Sequence, residues 1–131
     1  MYGQGRSEKL TSEAIKPFDR SKLYLIDKVL PQNASHQRLE KSLDRSLKLM
    51  QTDYFDLYLL HWRGGIPLAE TVDELVKMQT KGKIRHWGVS NFDVADLEEL
   101  WALPHGRECV ANEDLYNLDR RGIEYDLLPL M

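Results

Sequence analysis

Features that mark secreted, membrane and nucleic-acid-binding proteins are scarce in this sequence. Cys109 is the only cysteine, so no internal disulfide forms and a reducing compartment fits. No apolar run approaches the ~20 residues of a membrane-spanning helix, and residues 1–10 contain no apolar signal-peptide core. The net charge is -3 and no basic block is present, which argues against nucleic acid and membranes as partners. We therefore expect one cytoplasmic domain over residues 1–131, and we predict no metal site.

An uninterrupted apolar segment covers residues 57–60 and leads into His61 and Trp62. A short continuous apolar run is typical of a strand that is buried on both faces, as in parallel sheets. In parallel α/β proteins the carboxyl ends of the strands open onto the binding face. The segment therefore predicts that His61 and Trp62 lie at the functional end of a central strand.

Strand and helix patterns alternate along the rest of the chain. We predict strands over Leu23–Asp27, residues 57–60, Ile84–Val89 and Cys109–Ala111. We predict helices over Glu8–Lys16 with Ser7 as its cap, from a Ser35 cap to Met50, over Pro67–Lys81, from an Asp93 cap to Leu103, and over Arg121–Met131. Strand starts about 25 to 34 residues apart are typical of right-handed βαβ units.

Two α/β architectures fit this order of elements. One is a small open parallel sheet. A flavodoxin-like sheet is disfavoured, because the sequence lacks the phosphate-binding glycine loop that this fold has after its first strand. The other is a partial (β/α)8 TIM barrel with about four parallel strand–helix units. A complete barrel needs ~250 residues, so a chain of 131 residues could supply only about half of one.

Polar residues follow each predicted strand: Lys28, His61-Trp62, Ser90-Asn91 and Asn112-Glu113. Taken singly, each has a structural explanation. A histidine can be buried with backbone partners, a lysine can be solvated at a strand exit, and a Ser-Asn pair can form an Asx turn or a helix cap. Because the carboxyl ends of parallel strands share one face, the convergence of these residues indicates a candidate site.

Several motifs resemble the aldo-keto reductase family, and they occur in that family's order. They are Tyr2-Gly3-Gln4-Gly5-Arg6, Asp27-Lys28-Val29, Leu59-Leu60-His61-Trp62, Gly82-Lys83-Ile84-Arg85, Gly88-Val89-Ser90-Asn91-Phe92 and Ala111-Asn112-Glu113. The Leu-Leu-His-Trp motif and the two motifs that begin at Gly82 and Gly88 are highly specific. The resemblance spans nearly the whole chain. It implies the central part of a (β/α)8 barrel and an NADPH-dependent oxidoreductase that reduces small aldehydes and ketones to alcohols.

The resemblance assigns three catalytic residues. Tyr2 matches the family's general acid, and Lys28 and His61 match the lysine and the histidine that assist it. A phenol with a pKa near 10 transfers protons poorly at neutral pH unless a neighbour such as a lysine ammonium stabilises the phenolate. A histidine can orient the substrate carbonyl, while the nicotinamide supplies the hydride.

The resemblance also assigns binding residues. Ser90 and Asn91 match residues that hold the nicotinamide carboxamide, and Trp62 would line the substrate pocket. Glu113 falls where the family has a cofactor-binding glutamine, and Asp114 falls where the family has an apolar residue. Because an ionised glutamate only accepts hydrogen bonds, Glu113 is expected to weaken that cofactor contact.

The resemblance further implies that parts of a complete barrel lie outside these 131 residues. They include the family's aspartate that pairs with the lysine, and the segments that bind the 2′-phosphate and pyrophosphate of the cofactor. A second hypothesis is therefore a catalytically inactive half-barrel that acts through self-association or through a complementary chain. An incomplete barrel favours such association because it exposes strand edges and apolar surface.

Overall fold

The structure is a computed structural model that describes residues 5–131, so Tyr2 lies outside the described residues. Within this range, the helices are α1 (Arg6–Ile15), α2 (Leu39–Met50), α3 (Leu68–Thr80), α4 (Val94–Ala102) and α5 (Leu127–Leu130), and the strands are β1 (Ile26–Val29), β2 (Phe55–Leu60), β3 (Ile84–Ser90) and β4 (Asn112–Glu113). Short 3-10 helices cover Arg20–Lys22, Pro31–Asn33, Gly106–Glu108 and Gly122–Glu124. None of the described helices has the length and apolar character needed to span a membrane.

The strands form one parallel sheet in the order β1-β2-β3-β4. Strands that follow one another in the chain are neighbours in the sheet, and α2, α3 and α4 make the connections between them. This is the strand order of a barrel wall. In a doubly wound open sheet the strand order would reverse at a switch point. The predicted series of about four parallel strand–helix units is therefore confirmed.

The main core lies between the sheet and the helices. Tyr58 lies opposite Trp87 and Leu60 lies opposite Val89 in adjacent strands, and all four side chains are almost completely buried. They belong to a cluster with apolar residues three or four apart on two helices: Leu39, Leu43, Leu47 and Met50 of α2, and Leu68, Val72, Leu75 and Met78 of α3. This spacing gives each helix one apolar stripe, which explains why each helix packs against the sheet along its length.

The opposite, inner face of the sheet is also closely packed at its centre. Lys28, Leu59 and Gly88 share one row across three strands. A Cβ atom on residue 88 would lie 2.8 Å from Leu59 Cδ2 and 2.5 Å from the Ala111 carbonyl oxygen. Glycine at this position therefore leaves room for the Leu59 side chain on the inner face of β3.

The first strand begins later than predicted, at Ile26 instead of Leu23. The Arg20 guanidinium donates to the Leu23 carbonyl, and the Leu25 carbonyl accepts from two successive amides of β2. A regular parallel ladder starts only after this irregular pairing. Lys28 therefore lies within β1, one residue before its end, and not beyond the strand.

The fourth strand is also shorter and later than the predicted Cys109–Ala111. The predicted segment still follows β3, because the Val110 amide donates to the Trp87 carbonyl over 3.1 Å and the Val89 amide donates to the Ala111 carbonyl over 2.9 Å. This pairing leads directly into β4, so its polar residues belong to the parallel ladder.

Two predicted helix caps are wrong. α1 begins at Arg6 after Gly5, which has a positive φ of 93°, so Ser7 lies inside the helix and does not cap it. α2 begins at Leu39, because the Ser35 carbonyl accepts from the Leu39 amide in a separate turn before the helix.

The Asp93 cap of α4 is confirmed. The Asp93 carboxylate accepts from the Asp96 amide over 2.9 Å, and the Asp96 carboxylate accepts from the Asp93 amide over 3.3 Å, which is a reciprocal capping box. Gly82 follows α3 with a φ of 73°, as expected for a C-terminal stop. The predicted helix over Arg121–Met131 is only partly correct, because it divides into a 3-10 turn and the short α5.

A buried carboxylate fixes the amino-terminal end of β2. Asp56 accepts hydrogen bonds from Arg20 Nη2 over 2.8 Å and from the Leu25 amide over 2.9 Å, and Arg85 Nη1 lies 3.5 Å away. Both guanidinium groups also lie over the Tyr54 ring, where cation–π attraction favours them. Burial alone would raise the pKa of Asp56, but the Leu25 and Arg20 hydrogen bonds and the arginine charges outweigh burial and lower it.

Replacing Asp56 by asparagine is expected to lower the free energy of unfolding by about 2 kcal/mol at pH 7, because a neutral amide cannot pair with the two arginines. The folded-state pKa of Asp56 is lowered, so its stabilisation is present above the unfolded-state pKa of about 4 and is lost as the pH falls further. Urea unfolding of both proteins at pH 7 and near pH 3 measures the effect. Asp119→Asn, at an exposed position, is the charge-matched control. A loss equal at both pH values, or no larger than that of the control, would contradict this account.

Candidate active site

The carboxyl ends of the strands lie at one end of the sheet, and we call this group of residues the mouth and define it by Lys28, His61, Ser90, Asn91 and Glu113. Backbone hydrogen bonds keep the strand ends level. The His61 amide donates to the carbonyl of the last β1 residue over 2.9 Å, and the Asn91 amide donates to the Glu113 carbonyl over 3.1 Å. Ser90 lies directly opposite Glu113 in the ladder. The parallel register therefore brings residues from four separate parts of the sequence to one face.

Lys28 is the buried cation of the mouth, with a side chain only 9% exposed. Its Nζ forms an ion pair with the Glu113 carboxylate and lies 3.5 Å from Ser90 Oγ. The Glu113 side chain is 54% exposed, so the ion pair has one buried and one open member. Among residues 5–131, it is the only side-chain bond that links β1 directly to β4, and it spans the width of the mouth.

Ser90 and Asn91 connect the remaining groups through their side chains. Ser90 Oγ donates to the Glu113 carbonyl over 2.7 Å and accepts from Asn91 Nδ2 over 3.0 Å. The same Nδ2 also donates to the His61 carbonyl over 3.0 Å. Asn91 has a positive φ of 58°, a conformation that asparagine adopts more readily than most residues. Its backbone and its amide therefore both contribute to joining the ends of β2, β3 and β4.

His61 and Trp62 form the side of the mouth at the end of β2. Their rings meet edge to face, with centroids 4.5 Å apart and an interplanar angle of 64°. His61 is partly buried, whereas 42% of Trp62 is exposed. The indole therefore presents an accessible apolar wall beside the imidazole.

A second buried carboxyl group lies behind the mouth. Asp27 precedes Lys28 in β1, and because side chains alternate along a strand the two point to opposite faces of the sheet. Asp27 lies opposite Tyr58 in the ladder. Burial raises the pKa of Asp27, and burial together with the Asp27 charge raises the pKa of Tyr58. The Asp27-Lys28 motif therefore supplies one group to the core and one to the mouth.

An open cavity of about 480 Å³ reaches both members of the Lys28–Glu113 pair. Its remaining lining comes mostly from α1 and from the segment around the start of β1, and not from His61, Ser90 or Asn91, so this cavity lies along the edge of β1. Within residues 5–131, no group of three or more His, Cys, Asp and Glu side chains is arranged to hold a metal ion.

The structure brings together the strand-end residues that the sequence singled out, and it places Trp62 at their rim. The sequence pattern does not predict the Lys28–Glu113 ion pair. The available signal is the presence of opposite charges at the ends of two predicted strands. Whether such side chains meet also depends on how far the sheet curves between β1 and β4, which no local sequence pattern indicates.

Comparison with known proteins identifies the family. The Aldo/keto reductase family model matches residues 1–131, and the chain therefore belongs to this family. It is 50% identical to methylglyoxal reductase YeaE of Escherichia coli (strain K12) over 129 residues, which are 98% of this chain and 45% of that protein.

Solved structures agree with this assignment. An aldo/keto reductase from Klebsiella pneumoniae in complex with NADP and acetate is 47% identical, with a TM-score of 0.96 over 99% of this chain and 46% of that one. An aldo-keto reductase from Klebsiella pneumoniae in complex with NADPH is also 47% identical, with a TM-score of 0.97 over 99% of this chain and 45% of that one. The chain thus spans less than half the length of these relatives.

Substitutions at Asn91 are expected to separate its backbone role from its side-chain role. Asn91→Ala removes the hydrogen bonds of the side-chain amide. It also puts at position 91 a residue that adopts a positive φ less readily than asparagine does, so it should lower the free energy of unfolding by about 2 kcal/mol. Asn91→Gly loses the same bonds but keeps the backbone conformation at low cost. Urea unfolding should therefore give a smaller loss for glycine than for alanine. Equal losses, or a larger loss for glycine, would contradict the account.

Proposed function

We propose that this chain carries the lysine, the histidine and the nicotinamide contacts of an NADPH-dependent carbonyl reductase. The observation that supports this most strongly is the shared mouth, where a buried Lys28 lies beside Ser90 and close to the end of the histidine strand. Two further facts point the same way. The relative YeaE is named a methylglyoxal reductase, and the similar Klebsiella pneumoniae structures were solved with NADP or NADPH.

The chemistry of the mouth fits a nicotinamide carboxamide, which both donates and accepts hydrogen bonds. Both side-chain hydrogen bonds that Asn91 makes within the described residues use Nδ2, so Oδ1 is available as an acceptor. Glu113 adds a second acceptor, its carboxylate, at an exposed position. We therefore assign Ser90, Asn91 and Glu113 as the residues that would hold the nicotinamide. When bound, NADPH would supply the hydride for carbonyl reduction.

The catalytic roles follow from the charges that the reaction requires. Hydride addition leaves negative charge on the carbonyl oxygen, which a proton donor must neutralise. Tyr2 is the proposed donor, and the Lys28 ammonium would make proton transfer easier by stabilising its phenolate. His61 would hold the carbonyl oxygen in place, and the exposed indole of Trp62 would contact the rest of a small substrate.

The substrate class that this arrangement suits is a small reactive aldehyde or ketone. We also expect the protein to be cytoplasmic. Methylglyoxal is a suitable probe because several relatives are named for its reduction. We expect the purified chain to oxidise NADPH when methylglyoxal is added. Tyr2→Phe should lower kcat by about 100-fold or more, since it removes the proton donor.

A matched variant makes this test specific. Tyr125→Phe removes the same hydroxyl from a tyrosine that is 89% exposed, and it should leave kcat unchanged. The reaction is monitored by the loss of NADPH absorbance, and circular dichroism checks that each protein is folded. No turnover by folded wild-type chain would contradict the proposed activity. Turnover that Tyr2→Phe leaves intact would contradict only the role of Tyr2.

A second candidate role, self-association, is favoured by the open sides of the sheet. Among the described residues, β1 pairs only with β2 and β4 pairs only with β3. Large apolar side chains are also exposed after β4, including Leu115, Leu118 and Tyr125. Unpaired edges and apolar patches promote association.

If the chain acts as an inactive half-barrel, sedimentation velocity should show dimers or larger species whose share rises with protein concentration. Leu118→Ser should reduce that share, because it removes apolar surface that is 93% exposed. A monomer that stays intact over a hundredfold concentration range and unfolds cooperatively would contradict this role.

A further inference from the structure

Glu113 gives the mouth a property that Lys28 alone would not give it. We propose that Glu113 sets the net charge beside the nicotinamide and thereby raises the preference of this chain for the oxidised cofactor, NADP⁺, relative to NADPH. This inference rests on the proposed function, because it assumes that the nicotinamide occupies the mouth.

The geometry places a compensating charge directly on the buried lysine. The Glu113 carboxylate pairs with Lys28 Nζ, and its own backbone carbonyl accepts from Ser90 Oγ over 2.7 Å. The Asn91 amide donates to the same carbonyl over 3.1 Å. Glu113 is thus fixed at two points, by its backbone to the end of β3 and by its side chain to β1. The carboxylate is held among the residues that we assign to the nicotinamide.

The charge of the cofactor differs between its two redox forms at this point. The oxidised nicotinamide ring is a cation, whereas the reduced dihydronicotinamide ring is neutral. An uncompensated Lys28 ammonium would repel the cation but not the neutral ring. Because Glu113 neutralises Lys28, the pair carries no net charge, and the oxidised ring meets less repulsion.

Another acidic residue stands next to this pair. Burial and the negative charge of Glu113 raise the pKa of Asp114. Replacing Glu113 by glutamine removes one negative charge, and any accompanying gain of ionisation at Asp114 would reduce this change without reversing it. The expected effect on the redox preference therefore has a fixed sign.

The experiment compares the dissociation constants of NADP⁺ and NADPH for each protein by fluorescence titration. Glu113→Gln should raise the ratio of the NADP⁺ Kd to the NADPH Kd about three- to tenfold, as expected for one charge a few ångströms away in a partly solvated site. Glu98→Gln, an identical change at an exposed residue of α4, should leave the ratio unchanged. Using a ratio cancels any effect of the substitution that is common to both redox forms.

Lys28→Met provides the reciprocal test. It leaves the Glu113 carboxylate without its cation, so the ratio should move in the opposite direction and favour NADP⁺ more strongly. Acetylation of Lys28 in the nucleotide-free protein, followed by mass spectrometry, should be several-fold faster in Glu113→Gln than in Glu98→Gln, because the ion pair no longer protects the amine.

The outcomes distinguish failure of this inference from failure of the proposed function. Ratios that shift in opposite directions for the two mouth variants, with no shift for Glu98→Gln, would support the inference. Tight binding of both nucleotides with unchanged ratios would overturn it and leave the proposed function standing. If folded wild-type protein binds neither nucleotide, the proposed function fails and this inference fails with it, even if the acetylation result shows that the ion pair exists.

Discussion

The parallel register of the sheet is the constraint on which the site depends. Each strand ends at the same level, so hydrogen bonds between neighbouring strand ends also fix the positions of the side chains beyond them. The His61 amide bonds to the end of β1, and the Asn91 amide bonds to Glu113. A shift of one residue in any strand would turn its polar end group to the opposite face of the sheet. Lys28 would then point toward the helices, and its ion pair with Glu113 would be lost.

The two ends of the sheet use charge in different ways. At the amino-terminal end, the buried Asp56 carboxylate accepts hydrogen bonds from Arg20 and from the Leu25 amide, and this arrangement stabilises the fold. At the carboxyl end, Lys28 is buried but its partner Glu113 is more than half exposed. A pair that is open on one side can exchange its partner for a ligand at lower cost than a fully enclosed pair. This difference is the physical reason for placing function at the mouth and stability at the opposite end.

The sequence predicts the alternation of elements well, because each signal for it is local. The apolar run before His61, the apolar stripe of α2 and the Asp93 cap each depend only on nearby residues. The convergence of Lys28, His61 and the Ser90-Asn91 pair is also predictable, since it follows from parallel strands and their shared polarity. The start of β1 is not predictable in this way. It depends on the Leu25 carbonyl, which accepts from two successive amides of β2 in a tertiary contact.

The Lys28–Glu113 bond shows the same limit within the site. Opposite charges at two strand ends suggest attraction, but the bond forms only because β4 is in register with β3 and the sheet curves enough for β1 to face β4. The assignment of Glu113 to the cofactor follows from the family resemblance, and its restriction to accepting hydrogen bonds follows from its chemistry. Its action as a counter-charge for Lys28 follows only from the structure.

The central claim is that these strand ends form one mouth that receives a nicotinamide. Amide NMR spectra of isotope-labelled chain, recorded while NADPH is added, test it most directly. We predict saturable shifts at His61, Ser90, Asn91 and Glu113, with little change around Arg20 and Asp56 at the far end of the sheet. Shifts confined to that far end, or no saturable shifts in folded protein, would contradict the account.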